Sequence, residues 1–256
     1  MKKKLLNTIS NWWPALIVVL LILGLWELST RLEWIQAFLL PSPESVALAF
    51  IQTFEELMKN TLTSLTEAFW GLGLGIAFGF VIAILMDRFL LINKAVYPFL
   101  IVSQTIPVIA IAPLLVLWLG SGIEPKVLLI AIVSFFPISI GLLNGFKASD
   151  SDLISLLRSM GATKRQILWH VKLPSSMDSF FAGLKISVSY SIVGAIIAEW
   201  IGGNSGLGVY LNRVYKSYSI SKTFTVIFLV IILTLILIYL VSLIEKRAMR
   251  WKKQED

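Results

Sequence analysis

Residues Lys147 to Pro174, KASDSDLISLLRSMGATKRQILWHVKLP, form the longest polar segment between the apolar runs of this chain. Leu153, Leu156, Leu157 and Met160 recur at helical spacing and share one face. Asp150 or Asp152 can cap the start of that helix, and Gly161 suits a left-handed stop. Thr163 to Gln166 has capping-box spacing, so a second helix can begin at once. Its basic residues are Lys164, Arg165 and Lys172, and its apolar ones Ile167, Leu168 and Val171. Pro174 cannot continue it as a regular helix. A helix–Gly–helix hairpin between two apolar spans, partly apolar on its surface and without a catalytic constellation, suits docking of another protein. The plainer alternative is an ordinary connecting hairpin.

The apolar runs on either side set the class. The 256 residues are 57% hydrophobic and 14% charged, with a mean hydropathy of +0.84. Soluble domains carry about 25% charged residues, so the chain reads as an all-α, polytopic membrane protein. The absence of cysteine excludes disulfides and thiolate metal sites.

Six spans are expected, over about 13–28, 62–86, 95–119, 127–146, 177–201 and 223–244. Lys2 to Lys4 precede an uncharged run to Trp26 that is longer than a signal-peptide core and shows no convincing cleavage site. It reads as a retained first span, with Trp12 and Trp13 at one interface and Trp26 near the other. Leu40-Pro41-Ser42-Pro43 is a rigid turn. Val46, Phe50, Phe54 and Leu57 then make one helical face, either interfacial or packed under a partner.

In the second span Gly71, Gly75 and Gly79 form a stripe that lets a neighbouring helix approach. Gly71-x-Gly73-x-Gly75 lacks the strand-to-helix context and following Lys-Ser/Thr of a nucleotide loop. The third span contains Pro98, Pro107 and Pro113. Each removes a backbone donor, and the freed carbonyls need protein or a water-lined cavity. With Ser103, Gln104 and Thr105 beside Pro107, this span is a candidate pathway wall or else a kinked packing helix.

The fourth span carries Pro137 and Asn144. The fifth carries Lys185 and Glu199, together with Ser187, Ser189, Tyr190 and Ser191. Charge in hydrocarbon costs at least about 2.5–3.5 kcal/mol at a helix centre, so it faces protein or water. Lys185 either snorkels, forms a structural pair or lines a pathway. Glu199 either lines the pathway or marks the outer interface. Gly202 to Gly208 reads as a flexible loop, followed by a basic-aromatic segment from Arg213 to Tyr218. The last span leads to a basic tail of Lys246, Arg247, Arg250, Lys252 and Lys253.

Fifteen Lys and Arg fall on the termini, the 87–94 turn and the hairpin, against six on the opposite connections, Lys126 included. Positive-inside bias therefore places both termini and the hairpin in the cytoplasm. The net charge of +7 reflects topology, and no nucleic-acid partner is needed.

Gly161 followed by Val171-Lys172-Leu173-Pro174 resembles the cytoplasmic "EAA" loop of permease subunits in bacterial ATP-binding-cassette importers. Ser155-Leu156-Leu157 replaces the Glu-Ala-Ala triplet, while Arg158-Ser159-Met160-Gly161-Ala162 keeps the pattern around the glycine. Leu39 to Pro43, Pro107 to Gly120, and Ala198 to Gly202 with Ser205 to Gly208 are similar to one branch. That branch is the nitrate, taurine, alkanesulfonate and thiamine-precursor permeases, and the likeness runs from about residue 15 to 245.

The resemblance implies a type I importer permease in the bacterial cell membrane. It implies a homodimer that works with a dimer of cytoplasmic ATPases and an extracytoplasmic substrate-binding protein. It also implies that the hairpin couples to the ATPase through Leu153, Leu156, Leu157, Arg158, Met160, Gly161, Ala162, Lys164 and Arg165. The expected pathway residues are Ser103, Gln104, Pro107, Asn144, Lys185, Ser189, Tyr190 and Glu199. No Walker-type motif, nucleophile–base pair or metal cluster is present in the sequence, and its one histidine, His170, sits in the hairpin. The chain is expected to be no enzyme and to bind no cofactor, with ATP and Mg used by the partner. A thiamine pyrimidine precursor or a related small heteroaromatic is the expected substrate, and an alkanesulfonate, taurine or nitrate the runner-up. A secondary carrier would show paired broken helices or repeats. An intramembrane enzyme would show converging ionisable residues.

Overall fold

The computed structural model of the chain describes residues 2–36 and 38–250, with side chains from Trp13 onward, Ala15 and Ala37 excepted. The side chains of Lys2 to Lys4 and Trp12, and the tail residues Lys252 and Lys253, lie outside the described residues. Among the described residues there is no strand. The helices are α1 Lys2–Arg31, α2 Pro43–Gln52, α3 Phe54–Arg88, α4 Leu90–Ser103, α5 Val108–Leu119, α6 Glu124–Lys147, α7 Ser151–Ser159, α8 Lys164–Ile167, α9 Leu173–Gly202, α10 Leu207–Lys216 and α11 Ile220–Ala248. A π turn over Leu168–Lys172 joins α8 to α9. Among the described residues, four helical runs are long and apolar enough to cross a membrane: Phe54–Arg88, Glu124–Lys147, Lys164–Gly202 and Ile220–Ala248. The α4–α5 pair makes a fifth if its bent halves are counted as one span. Helix α1 covers the first expected span, and its apolar side chains from Leu16 to Leu25 are exposed.

The chain divides into two compact units, Met1–Leu57 with Leu211–Leu229, and Met58–Tyr210 with Val230–Asp256. In the first, the Trp26 indole donates to the Pro41 carbonyl at 2.9 Å and stacks on Phe228 with ring centroids 5.5 Å apart. Ser42 caps α2, accepting from the Ser45 N–H. The expected face of Val46, Phe50, Phe54 and Leu57 is shared between two helices, because α2 stops at Thr53 and α3 starts at Phe54.

In the second unit α6 and α9 pack along their length. The core gathers Ile138, Leu142 and Phe146 of α6, Phe180, Phe181, Leu184 and Val188 of α9, Ala83 of α3 and Val241 of α11. Small residues permit this closeness. A Cβ on Gly141 would meet the Ser179 carbonyl oxygen at 2.5 Å, and one on Gly183 the Pro137 carbonyl oxygen at 2.5 Å. The stripe on α3 fits against α6 in the same way, with Gly71, Gly75 and Gly79 facing Ile130, Ser134 and Ile138 in turn.

A Cβ on Gly75 would lie 2.8 Å from the Ser134 Cβ and 3.1 Å from the Ala131 carbonyl oxygen, so backbone must move. Gly75→Leu is expected to lower the unfolding temperature of the purified protein through an overpacking cost of about 1–3 kcal/mol. Gly73, two residues away, has open space around its Cβ position. Gly73→Leu should leave the transition in place. Equal transitions for the two variants would remove the stripe from the packing account.

Candidate functional site

The expected third span is not a continuous, merely kinked helix. Helices α4 and α5 are bent by 103° at residues 104–107. Pro107 offers no N–H and disfavours helical backbone at Ile106. Its own φ of −62° and ψ of 123° are extended, so it opens α5 from outside the helix. Pro98 and Pro113 are accommodated inside their helices. The carbonyls at the end of α4 are taken up locally. Ser103 Oγ and Gln104 Nε2 donate to the Leu100 carbonyl at 3.0 and 3.3 Å, and Thr105 Oγ1 to that of Val102 at 2.7 Å.

This break borders a cavity of about 360 Å³. Ser103, Gln104, Thr105 and Pro107 line it from the break, Phe136 and Pro137 from α6, and Tyr190, Val193 and Gly194 from α9. Among the described residues, no charged side chain reaches its wall. The arrangement offers two aromatic rings, several apolar surfaces and a few neutral hydrogen-bonding groups, which suits a small uncharged ligand.

Four expected pathway residues, Ser103, Gln104, Pro107 and Tyr190, therefore meet at one cavity, and the other four stand elsewhere. Asn144 is exposed on α6. Ser189 donates to the Lys185 carbonyl at 3.3 Å. Lys185 Nζ lies 2.6 Å from Glu245 Oε2 of α11, with side chains 32% and 22% exposed. Its charge is already matched by a carboxylate, which makes it a structural pair.

Glu199 marks no interface. It is fully buried and acts as an anchor. Ser64 Oγ donates to its Oε1 at 2.6 Å, and the Gly208 N–H to its Oε2 at 2.6 Å. The Leu207 N–H donates to Ser64 Oγ and the Gly206 N–H to Asn60 Oδ1. The 202–208 segment, expected to be flexible, is thus tied down at the start of α10. Gly206 takes φ +115°, and a Cβ there would fall 2.2 Å from the Glu199 carboxyl carbon, so only glycine fits.

Glu67 is not singled out from the sequence, and Lys126 is counted there on an outer connection. Glu67 of α3 and Lys126 of α6 pair at 2.6 Å with side chains 3% and 6% exposed. The Glu67 and Glu199 carboxyls are near enough to interact, and Glu67 Oε2 has no hydrogen-bond partner among the described residues. Lys126 is therefore no loop cation, because α6 begins at Glu124 and carries it inside. A glutamate within the apolar run of the second span was the signal that could have found this cluster.

The hairpin is built from strong local signals. Asp150 Oδ1 accepts from the N–H groups of Asp152 and Leu153 at 2.8 and 3.2 Å. Gly161 takes φ +84°, and the Ala162 N–H closes on the Leu157 carbonyl at 2.9 Å, ending α7. Thr163 and Gln166 form a reciprocal capping box at the start of α8. The chain does not stop at Pro174. The π turn shifts the hydrogen-bond register, with the Leu173 N–H on the Leu168 carbonyl, and the helix runs on into α9. Ser175 Oγ donates to the Val171 carbonyl at 2.7 Å. The second arm of the hairpin is thus the first turns of the fifth span. Leu153, Leu156 and Met160 on α7 and its end are 42%, 57% and 75% exposed, an apolar face at the turn.

Residues 75–250 match the family described as binding-protein-dependent transport system inner membrane component. The formylaminopyrimidine transport permease protein ThiX of Halalkalibacterium halodurans is 35% identical over 92% of this chain and 94% of its own. The riboflavin transport system permease protein RibX of Chloroflexus aurantiacus is 31% identical over 94% and 91%. The putative aliphatic sulfonates transport permease protein SsuC of Bacillus subtilis is 27% identical over 96% and 90%. Among solved structures, an amino acid ABC transporter superposes with a TM-score of 0.65 at 18% identity, over 78% of this chain and 97% of that one. An inward-facing MetNI methionine ABC transporter does so with 0.64 at 20% identity, over the same shares. These superpositions place the fold among type I importer permeases. With the family matched over most of its length, the chain belongs to the binding-protein-dependent transport system inner membrane components, as an ABC importer permease of the branch that includes thiamine-precursor, sulfonate and taurine permeases.

Proposed function

We propose that this permease carries a small, uncharged heteroaromatic compound, of the kind represented by a thiamine pyrimidine precursor, past the break between α4 and α5. The observation that carries this reading is the uncharged cavity bordered by Ser103, Gln104, Pro107 and Tyr190. An anion would meet no cation among the described lining residues, and Lys185 is occupied by Glu245. The likeness to a formylaminopyrimidine permease supports the same class. Two copies of the chain form the pathway, and an extracytoplasmic binding protein delivers the substrate. A dimer of separate ATPases, using ATP and Mg, docks on the exposed apolar face of α7. The distribution of Lys and Arg supports cytoplasmic termini and a cytoplasmic hairpin. Alkanesulfonate transport is the second reading, favoured by relatives named for sulfonates and taurine.

Lys185→Met separates the two. For an uncharged substrate, uptake should stay within about threefold of wild type, since a partly exposed ion pair contributes little. Loss of uptake with normal assembly and ATPase docking would favour the anion. Equilibrium binding of both ligand classes to the cognate binding protein gives an independent check.

A further inference from the structure

A second cavity, of about 320 Å³, lies where the apolar part of α3 ends and meets the hairpin. Its cations are Arg88 of α3, Arg158 of α7, and Lys164 and Arg165 of α8, and none is ion-paired among the described residues. Asp87, the one carboxylate among the described lining residues, is already bound by Lys172 at 2.5 Å. The lining therefore presents an excess of four positive charges. Its floor is apolar, formed by Ile84 and the buried Ile167. Just outside, Phe89, Leu90 and Trp169 are exposed, and the Arg88 guanidinium lies over the Phe89 ring.

We propose that this cavity binds the phosphate of an anionic phospholipid headgroup. Guanidinium forks and ammonium groups converging on one concave wall match phosphate oxygens. A free phosphate ion would satisfy the cations but leave the apolar floor unused, whereas a lipid fills both. The site stands at the end of a long apolar helix and beside exposed aromatic residues, the combination that suits a boundary between headgroups and acyl chains. Because the cations come from α3 and from both arms of the hairpin, a bound headgroup ties the hairpin to the end of that span.

The test uses the full chain in neutral detergent, with phosphatidylglycerol or phosphatidylcholine added to the micelles or inorganic phosphate added to the buffer. Phosphatidylglycerol should raise the unfolding temperature by about 3 °C or more relative to phosphatidylcholine. Millimolar phosphate should not reproduce the gain. Arg88→Glu should abolish the gain without lowering the unfolding temperature in phosphatidylcholine, and Arg88→Lys should keep most of it. The lipid assignment fails if phosphatidylglycerol gives no gain, if Arg88→Glu leaves the gain intact, or if phosphate alone supplies it. No lipid gain combined with loss of ATPase binding in Arg88→Glu would assign the cavity to the ATPase instead.

Discussion

Lys126→Met will lose about 3–5 kcal/mol of stability, because it leaves a buried carboxylate without its cation. The pair it breaks is 2.6 Å long and almost wholly shielded from solvent. The Glu199 carboxyl is next to it, so the loss of the ammonium leaves two acidic groups facing each other in a dry site. The same group carries Gly208 and, through Ser64, the start of α10, so the damage should spread to the 202–208 segment. The measurement is the thermal transition and the folded yield in mild detergent. Adding Glu67→Gln to Lys126→Met should restore much of the loss, since an amide removes the unpaired charge. Arg31→Met breaks a 2.5 Å ion pair whose arginine is 74% exposed, and should cost less than about 1 kcal/mol. Similar losses in Lys126→Met and Arg31→Met would show that the buried pair is not structural.

Gly161→Val will reduce ATP-driven uptake by about tenfold or more, from a backbone cost of about 1–3 kcal/mol for a side chain held at positive φ. No atom lies within 4 Å of the Cβ position, so crowding plays no part and the penalty is conformational. The glycine closes α7 and sets the angle at which Leu153, Leu156 and Met160 are presented. A hairpin that cannot hold that turn should lose the ATPase in co-purification while the spans still insert. Gly161→Asn is the control, because asparagine tolerates the left-handed region. It should keep most of the uptake. Normal ATPase binding and normal uptake in Gly161→Val would remove the hairpin from the coupling account.

What could be read from the sequence was local. Asp150, Gly161 and the Thr163–Gln166 box act within one turn of chain, so their spacing is enough to place them. The glycine stripe of α3 is equally regular, and its period survives in the facing series of Ile130, Ser134 and Ile138. Pro107 and its polar neighbours pointed to a weakened third span. The 103° bend was not legible, since Pro98 and Pro113 carry the same local signal and break nothing. The course of the chain at Pro174 was misjudged for a related reason. A π turn resolves the missing donor within one helix, and no composition rule announces it.

Pairings between distant residues were out of reach. Lys126 lies 59 residues from Glu67, and Glu199 lies 135 from Ser64, so neither partner can be inferred from spacing. Glycine-rich composition suggested mobility at 202–208. The hydrogen bonds to Asn60, Ser64 and Glu199 explain why those glycines are needed for close approach instead.

The most direct measurement is uptake into proteoliposomes that hold the permease alone, or the permease with its ATPase, with the substrate-loaded binding protein outside and ATP within. Uptake is expected only when ATPase and ATP are both present, and none from the permease alone under any ion gradient. Uptake by the permease alone, driven by such a gradient, would contradict this and make the chain a self-sufficient carrier.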